Sequence, residues 1–77
     1  MSRGEIVMNF TTYKQKIGEN IRYRRIRYNL SQEGLEQLTG IHRITISQIE
    51  RGKKNVSLRY LCLLPEILNI EITDLFK

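Results

Sequence analysis

The chain has one cysteine, one proline, one histidine and no tryptophan. A lone cysteine excludes an intrachain disulfide and suits a reducing cytoplasm. With no second histidine or cysteine near His42, no metal site of the usual ligand set is expected, and no cofactor either. No apolar run approaches the ~18–20 residues of a membrane-crossing helix, and no signal-peptide pattern opens the chain. The scarcity of proline, beside many Ile and Leu, argues against disorder. No nucleophile–base pair, carboxylate pair or phosphate loop stands out, so an enzyme is not expected.

Acidic residues are scarce upstream. Residues 1–59 hold 12 Lys and Arg against 5 Asp and Glu, a balance of +7, whereas residues 60–77 carry −2. The basic part points to an anionic partner, with simple solubilisation as the bland alternative. A membrane-surface helix fits less well, because the arginines of residues 22–27 are interleaved with Ile and Tyr. Seventy-seven residues make one small domain with a thin core, and self-association is a usual supplement to such a core.

Residues 1–11 form an N-terminal segment, read as a frayed start. A helix extension, or an arm touching DNA through Arg3, is the alternative. The domain proper is expected over residues 12–77. Thr12 with Gln15 fits a capping box that would open the first helix, along which Tyr13, Ile17, Ile21 and Tyr28 keep helical spacing. Gly18 suits a close helix contact, and Asn29 can end the helix in a left-handed conformation. Arg25 falls on the apolar face, where a guanidinium requires a carboxylate; Glu50 is the expected partner.

Ser31–Gly52 reads as two short amphipathic segments around a glycine break. The first covers about residues 32–39, capped by Ser31, with Leu35 and Leu38 on one face. Gly34 should weaken it slightly. The second covers about residues 42–51, with Ile46 and Ile49 on one face and Arg43, Ile44, Ser47, Gln48 and Arg51 on another. Two such helices around a turn form a helix-turn-helix, whose second helix can enter a DNA major groove. Arg43 has the fork for guanine O6 and N7, Gln48 can pair with adenine, and Ile44 can meet a thymine methyl. Thr45 and Ser47 are short donors, and His42 starts the helix beside a phosphate or base. Lys53, Lys54 and Asn55 make a basic loop fit for phosphate contact.

After Ser57 a further helix should run toward Leu68, with Leu58, Leu61, Cys62 and Leu68 on one apolar face. Tyr60, Leu63, Leu64 and Ile67 would make a second face. Such a surplus in so small a domain predicts a dimerising region over about residues 60–77, including Ile72. Cys62 is expected to be buried packing. Pro65 should kink this helix, and Asn69 should close it. A last short helix capped by Thr73 would carry Asp74, Leu75 and Phe76.

Taken together, Ile17-Gly18, Ile21-Arg22, Arg25, Leu30, Ser31-Gln32, Leu35, Gly40-Ile41, Ile46 and Ile49-Glu50-Arg51-Gly52 resemble the Cro/CI-type (XRE-like) DNA-binding domains. The resemblance covers about residues 13–76. Within that family, the run His42-Arg43 … Ile46-Ser47 … Ile49-Glu50-Arg51-Gly52 is similar to the controller proteins of restriction-modification systems. The resemblance implies an all-α, five-helix domain of the lambda repressor-like fold. It implies a sequence-specific regulator binding double-stranded DNA as a homodimer on a palindromic operator. It also implies an internal Arg25–Glu50 pair and a phosphate contact at Gln32. RNA polymerase is a candidate partner, and the cytoplasm of a bacterium or phage host, at the nucleoid, is the expected location. A phage-type repressor, a toxin–antitoxin antitoxin and a protein-interaction module on the same fold are the alternatives. Glu36 departs from the family, which usually has a small residue there; this carboxylate must lean outward or pair with a base.

Overall fold

The computed structural model describes residues 9–77; Arg3 and the rest of 1–8 lie outside it. Helix α1 spans Phe10–Arg27 and starts earlier than Thr12. Asn9 is the cap: its side-chain oxygen accepts the Thr12 amide at 2.8 Å. An Asn at that position satisfies a free first-turn amide, so the helix gains residues 10–12 and the Thr12–Gln15 capping box is not used. At the other end Asn29 has φ 56°, and Leu30 and Asn29 donate back to the Arg25 and Ile26 carbonyls at 3.1 and 2.9 Å. This paired closure is what a left-handed Asn provides.

Helix α2 (Gln32–Thr39) is capped by Ser31 and closed by Gly40 at φ 76°. Helix α3 (Arg43–Glu50) follows after two residues, with His42 as its cap. Thr39 Oγ1 donates to the Leu35 carbonyl and accepts the Ile41 amide, which fastens the turn between the two helices. Helix α4 covers Leu58–Leu68, and its run continues through Pro65. A 3-10 helix, Ile72–Phe76, stands where a fifth α-helix was expected. Its start is held by Asp74, which accepts the Glu71 amide at 3.1 Å, not by Thr73.

Ile17, Ile21, Leu35, Ile41, Ile46, Ile49, Leu64, Leu68 and Leu75 form one core. Helix α1 is its spine. Gly18 lets the α1 backbone lie on the end of α3: a Cβ there would overlap the Ile49 carbonyl and sit 2.8 Å from the Glu50 carbonyl oxygen. The 3-10 helix is tied to α1 by Asn20, whose amide donates to the Leu75 carbonyl at 2.8 Å, and by an edge-on Tyr13–Phe76 contact.

Four apolar side chains sit differently from what the sequence suggests. Leu38 is more than half exposed; Ile41, just past the turn, fills the core beside Leu35 instead. On α4 the inward positions are Leu61, Leu64, Pro65 and Leu68, at spacings of three and four residues. Leu64 is therefore core and not an outward interface residue, whereas Leu58 and Cys62 face solvent. A helix apolar nearly all round carries no periodic signal of its own phase, so its neighbours decide it.

Candidate nucleic-acid interface

Helix α3 holds the candidate reading surface because its inner side is fully engaged. Ile46, Ile49 and Glu50 point into the domain. Arg43 and Ile44 are exposed, while Thr45, Ser47 and Gln48 are half-buried along the outer side. Arg43–Ser47 and Ile44–Gln48 are i, i+4 pairs, so the four candidate base contacts lie on adjoining strips of one helix face. His42 Nδ1 accepts the Ile44 amide at 3.1 Å. That nitrogen is thus an acceptor in the free protein, and the imidazole is a cap as well as a candidate phosphate contact. Arg51 lies just past the helix, its Nε donating to the Ser47 carbonyl at 3.3 Å. Gly52, at φ 70°, then turns the chain into the exposed Lys53, Lys54 and Asn55.

The inner end of the same helix carries the ion pair expected from the sequence. Arg25 Nε and Nη2 donate to the two Glu50 carboxylate oxygens at 2.6 and 2.9 Å, and Nη1 donates to the Leu30 carbonyl at 2.8 Å. Both residues are buried. The hydrogen bond from Arg25 to Glu50 and their mutual attraction outweigh burial and hold the guanidinium above its ordinary value. One member of this cluster was assigned elsewhere. Gln32, expected at a phosphate, gives one amide hydrogen to Glu50 Oε1 at 3.1 Å. Gln32 is the first residue of α2, so α1, α2 and α3 meet at one carboxylate.

Glu36 does lean outward. Its Oε1 lies 3.8 Å from Arg43 Nη1, across the gap between α2 and α3.

A groove of about 590 Å³ opens between α1 and the helix-turn-helix, lined by Arg22, Tyr23, Arg27, Gln32, Ser47 and Arg51 among others. Among the described residues, no carboxylate pairs with Arg22, Arg27 or Arg51. Arg22 and Arg27, which line this groove, were not among the site residues singled out from the sequence. The available signal was the spacing Glu19, Arg22, Tyr23, Ile26, Arg27, a single stripe along α1. The expected interface residues Tyr60, Leu63 and Ile67 are half-buried, each packed partly on the core, and Ile72 is 39% exposed.

Comparison with known proteins agrees with this geometry. Residues 21–75 match the HTH_3 family, described as helix-turn-helix. The chain is 39% identical over 66 residues to the control protein C.SmaI of Serratia marcescens, covering 86% of this chain and 79% of that one. It is 41% identical over 56 residues to an uncharacterized HTH-type transcriptional regulator of Archaeoglobus fulgidus, covering 73% of this chain and 80% of that one. Among solved structures, the restriction-modification controller protein C.AhdI of Aeromonas hydrophila superposes with a TM-score of 0.76 at 40% identity. That match covers 82% of this chain and 96% of the other.

Proposed function

The chain belongs to the HTH_3 helix-turn-helix family, as a transcriptional regulator of the XRE type close to restriction-modification controller proteins, and from that premise we propose that it controls such an operon. In this reading it binds a palindromic operator as a homodimer. Each α3 enters a major groove, and the half-sites lie about one helical turn (roughly 34 Å) apart. Arg43, Ile44, Ser47 and Gln48 read base edges. His42, Thr45, Arg51, Lys53, Lys54 and Asn55 hold the phosphates, with Gln32 contributing the amide hydrogen that Glu50 leaves free, and hydrogen bonds to phosphate set register without reading sequence.

The observation that carries the reading is the division of labour along α3. Its inner side is anchored by Ile46, Ile49 and the Arg25–Glu50 pair, while Arg43 and Ile44 are left to solvent at its start. A basic loop follows directly. The dimer is supported by Tyr60, Leu63 and Ile67, which fall at i, i+3 and i+7 on one side of α4 and are incompletely covered by the core.

Selection of duplexes from a random pool tests the function. Enrichment of a two-fold symmetric site, found again upstream of a neighbouring restriction or modification gene, is the expected result. Absence of any enriched sequence at low salt would remove the DNA-binding reading and favour a protein-interaction role.

A further inference from the structure

Within this DNA-binding reading, on which the inference rests, one carboxylate is placed where a DNA-binding face has least use for it. Glu36 projects from α2 toward the first residue of α3, 3.8 Å from the Arg43 guanidinium. Its side chain is 30% exposed and that of Arg43 is 53% exposed, so the pair is open to an approaching duplex. Of the other acids near this face, Glu50 is buried and bound by Arg25 and Gln32, and Glu19 lies across the groove on α1. Glu36 has a single cationic partner among the described residues, and that partner is the side chain best shaped to read guanine.

We propose that Glu36 is a specificity-determining positioning residue, which holds Arg43 for base readout and penalises its use as a general phosphate clamp. A guanidinium has five donors in a planar fork. Nη1 faces Glu36, which leaves the remaining donors for the two acceptors of a guanine edge. At a cognate pair Arg43 meets the base and keeps Glu36. At a non-cognate pair no such acceptor pair is offered, and Arg43 gains most by swinging to a phosphate. That movement abandons Glu36 and leaves its carboxylate unpaired beside a polyanion. The cost falls on random DNA and not on the operator, which is how a repulsive element creates specificity.

The test is a double-mutant cycle on DNA, using the full chain with a duplex selected from a random pool and a scrambled duplex of equal length. Glu36→Gln keeps the shape and removes the charge. It should tighten scrambled-duplex binding by about two- to fivefold, the range of an exposed ion pair, and leave selected-duplex binding unchanged or weaker. In an Arg43→Ala background the same substitution should leave the ratio of the two affinities unaltered. Restoring a carboxylate with Glu36→Asp should recover part of the discrimination. Equal tightening on both duplexes, with or without Arg43, would show a simple charge effect and overturn the proposal. A changed base preference with unaltered scrambled-duplex affinity would make Glu36 a base contact and overturn it too. A wild type with no preference for any duplex would instead bring down the DNA-binding reading itself, whereas a discriminating wild type with an additive cycle removes only the role of Glu36.

Discussion

Arg25 and Arg43 are both arginines with a carboxylate partner, yet burial gives them opposite uses. Arg25 is 9% exposed, with three hydrogen bonds spent on Glu50 and the Leu30 carbonyl. Removing it leaves a buried carboxylate with only Gln32. Arg25→Ala should therefore cost about 3–5 kcal/mol, seen as a drop of well over ten degrees in thermal melts. A shift within a degree or two would mean that Glu50 finds water when Arg25 is gone. Arg43 is exposed, so its loss should leave the melt alone and appear in DNA binding. Arg43→Ala should weaken the operator complex by about 1–3 kcal/mol and relax one base preference per half-site. Replacing Lys53 or Lys54 by Ala should instead weaken operator and random DNA alike. Each should lower the salt slope by about one unit, because the lost contact is to phosphate. Titrations from low to high salt separate the two classes. A sequence-selective loss for Lys53 or Lys54 would contradict a phosphate role for the loop after α3.

At the scale of elements, two helical glycines make a controlled pair. Gly18 is wedged against the backbone of Ile49 and Glu50, and backbone cannot step aside. Gly18→Ala gains up to about 1 kcal/mol of helix propensity but incurs about 1–3 kcal/mol of overpacking, so it should destabilise. Gly34 meets only the Leu30 and Ser31 side chains, at 3.3 and 3.4 Å. The end of the Leu30 side chain can shift, and the capping Ser31 Oγ is already at ordinary contact distance, so Gly34→Ala should stabilise by up to about 1 kcal/mol. Melts of the two variants moving in opposite directions is the expected result; a gain of stability from Gly18→Ala would refute the close approach of α1 to α3. The 3-10 helix should respond to pH. Hydrogen bonds from Lys77 and then from the Glu71 amide hold the Asp74 carboxyl below its ordinary value. A depressed carboxyl contributes stability that is present above its unfolded value and lost as pH falls through the folded one. Asp74→Asn should thus melt slightly below wild type near neutrality and coincide with it in strong acid. A pH series of melts that stays parallel throughout would deny the contact any part in stability.

For the whole molecule, the central expectation is that α4 has two different apolar sides. Leu64 is 1% exposed, so Leu64→Glu should unfold the chain. Leu63 and Ile67 are half-buried and incompletely covered, so Leu63→Glu or Ile67→Glu should yield folded monomers. Operator affinity should then fall much further than half-site affinity, because the second half-site is no longer tethered. Sedimentation with circular dichroism reads both outcomes. Folded monomers of the wild type at micromolar concentration, with unchanged operator binding by the variants, would exclude this side of α4 as the interface.

Local chemistry was enough for much of this protein. The Ser31 and Ser57 caps, the left-handed Asn29, the break at Gly40 and the helix end at Asn69 all follow from residues a turn apart, and the structure has them where the sequence placed them, whereas α3 is one residue shorter at each end than residues 42–51. The Arg25–Glu50 pair was legible because a guanidinium on an apolar stripe has few alternatives. Tertiary structure decided what depends on neighbours distant in sequence. It turned Leu64 inward and Cys62 outward, since a helix apolar all round packs in whichever phase its surroundings complete. It left Leu38 exposed and buried Ile41, just past the turn, in the core. It also set Glu36 against Arg43 and opened the arginine-lined groove beside α1. Those two features exist only through the distances between helices, and packing of side chains far apart in the chain determines these.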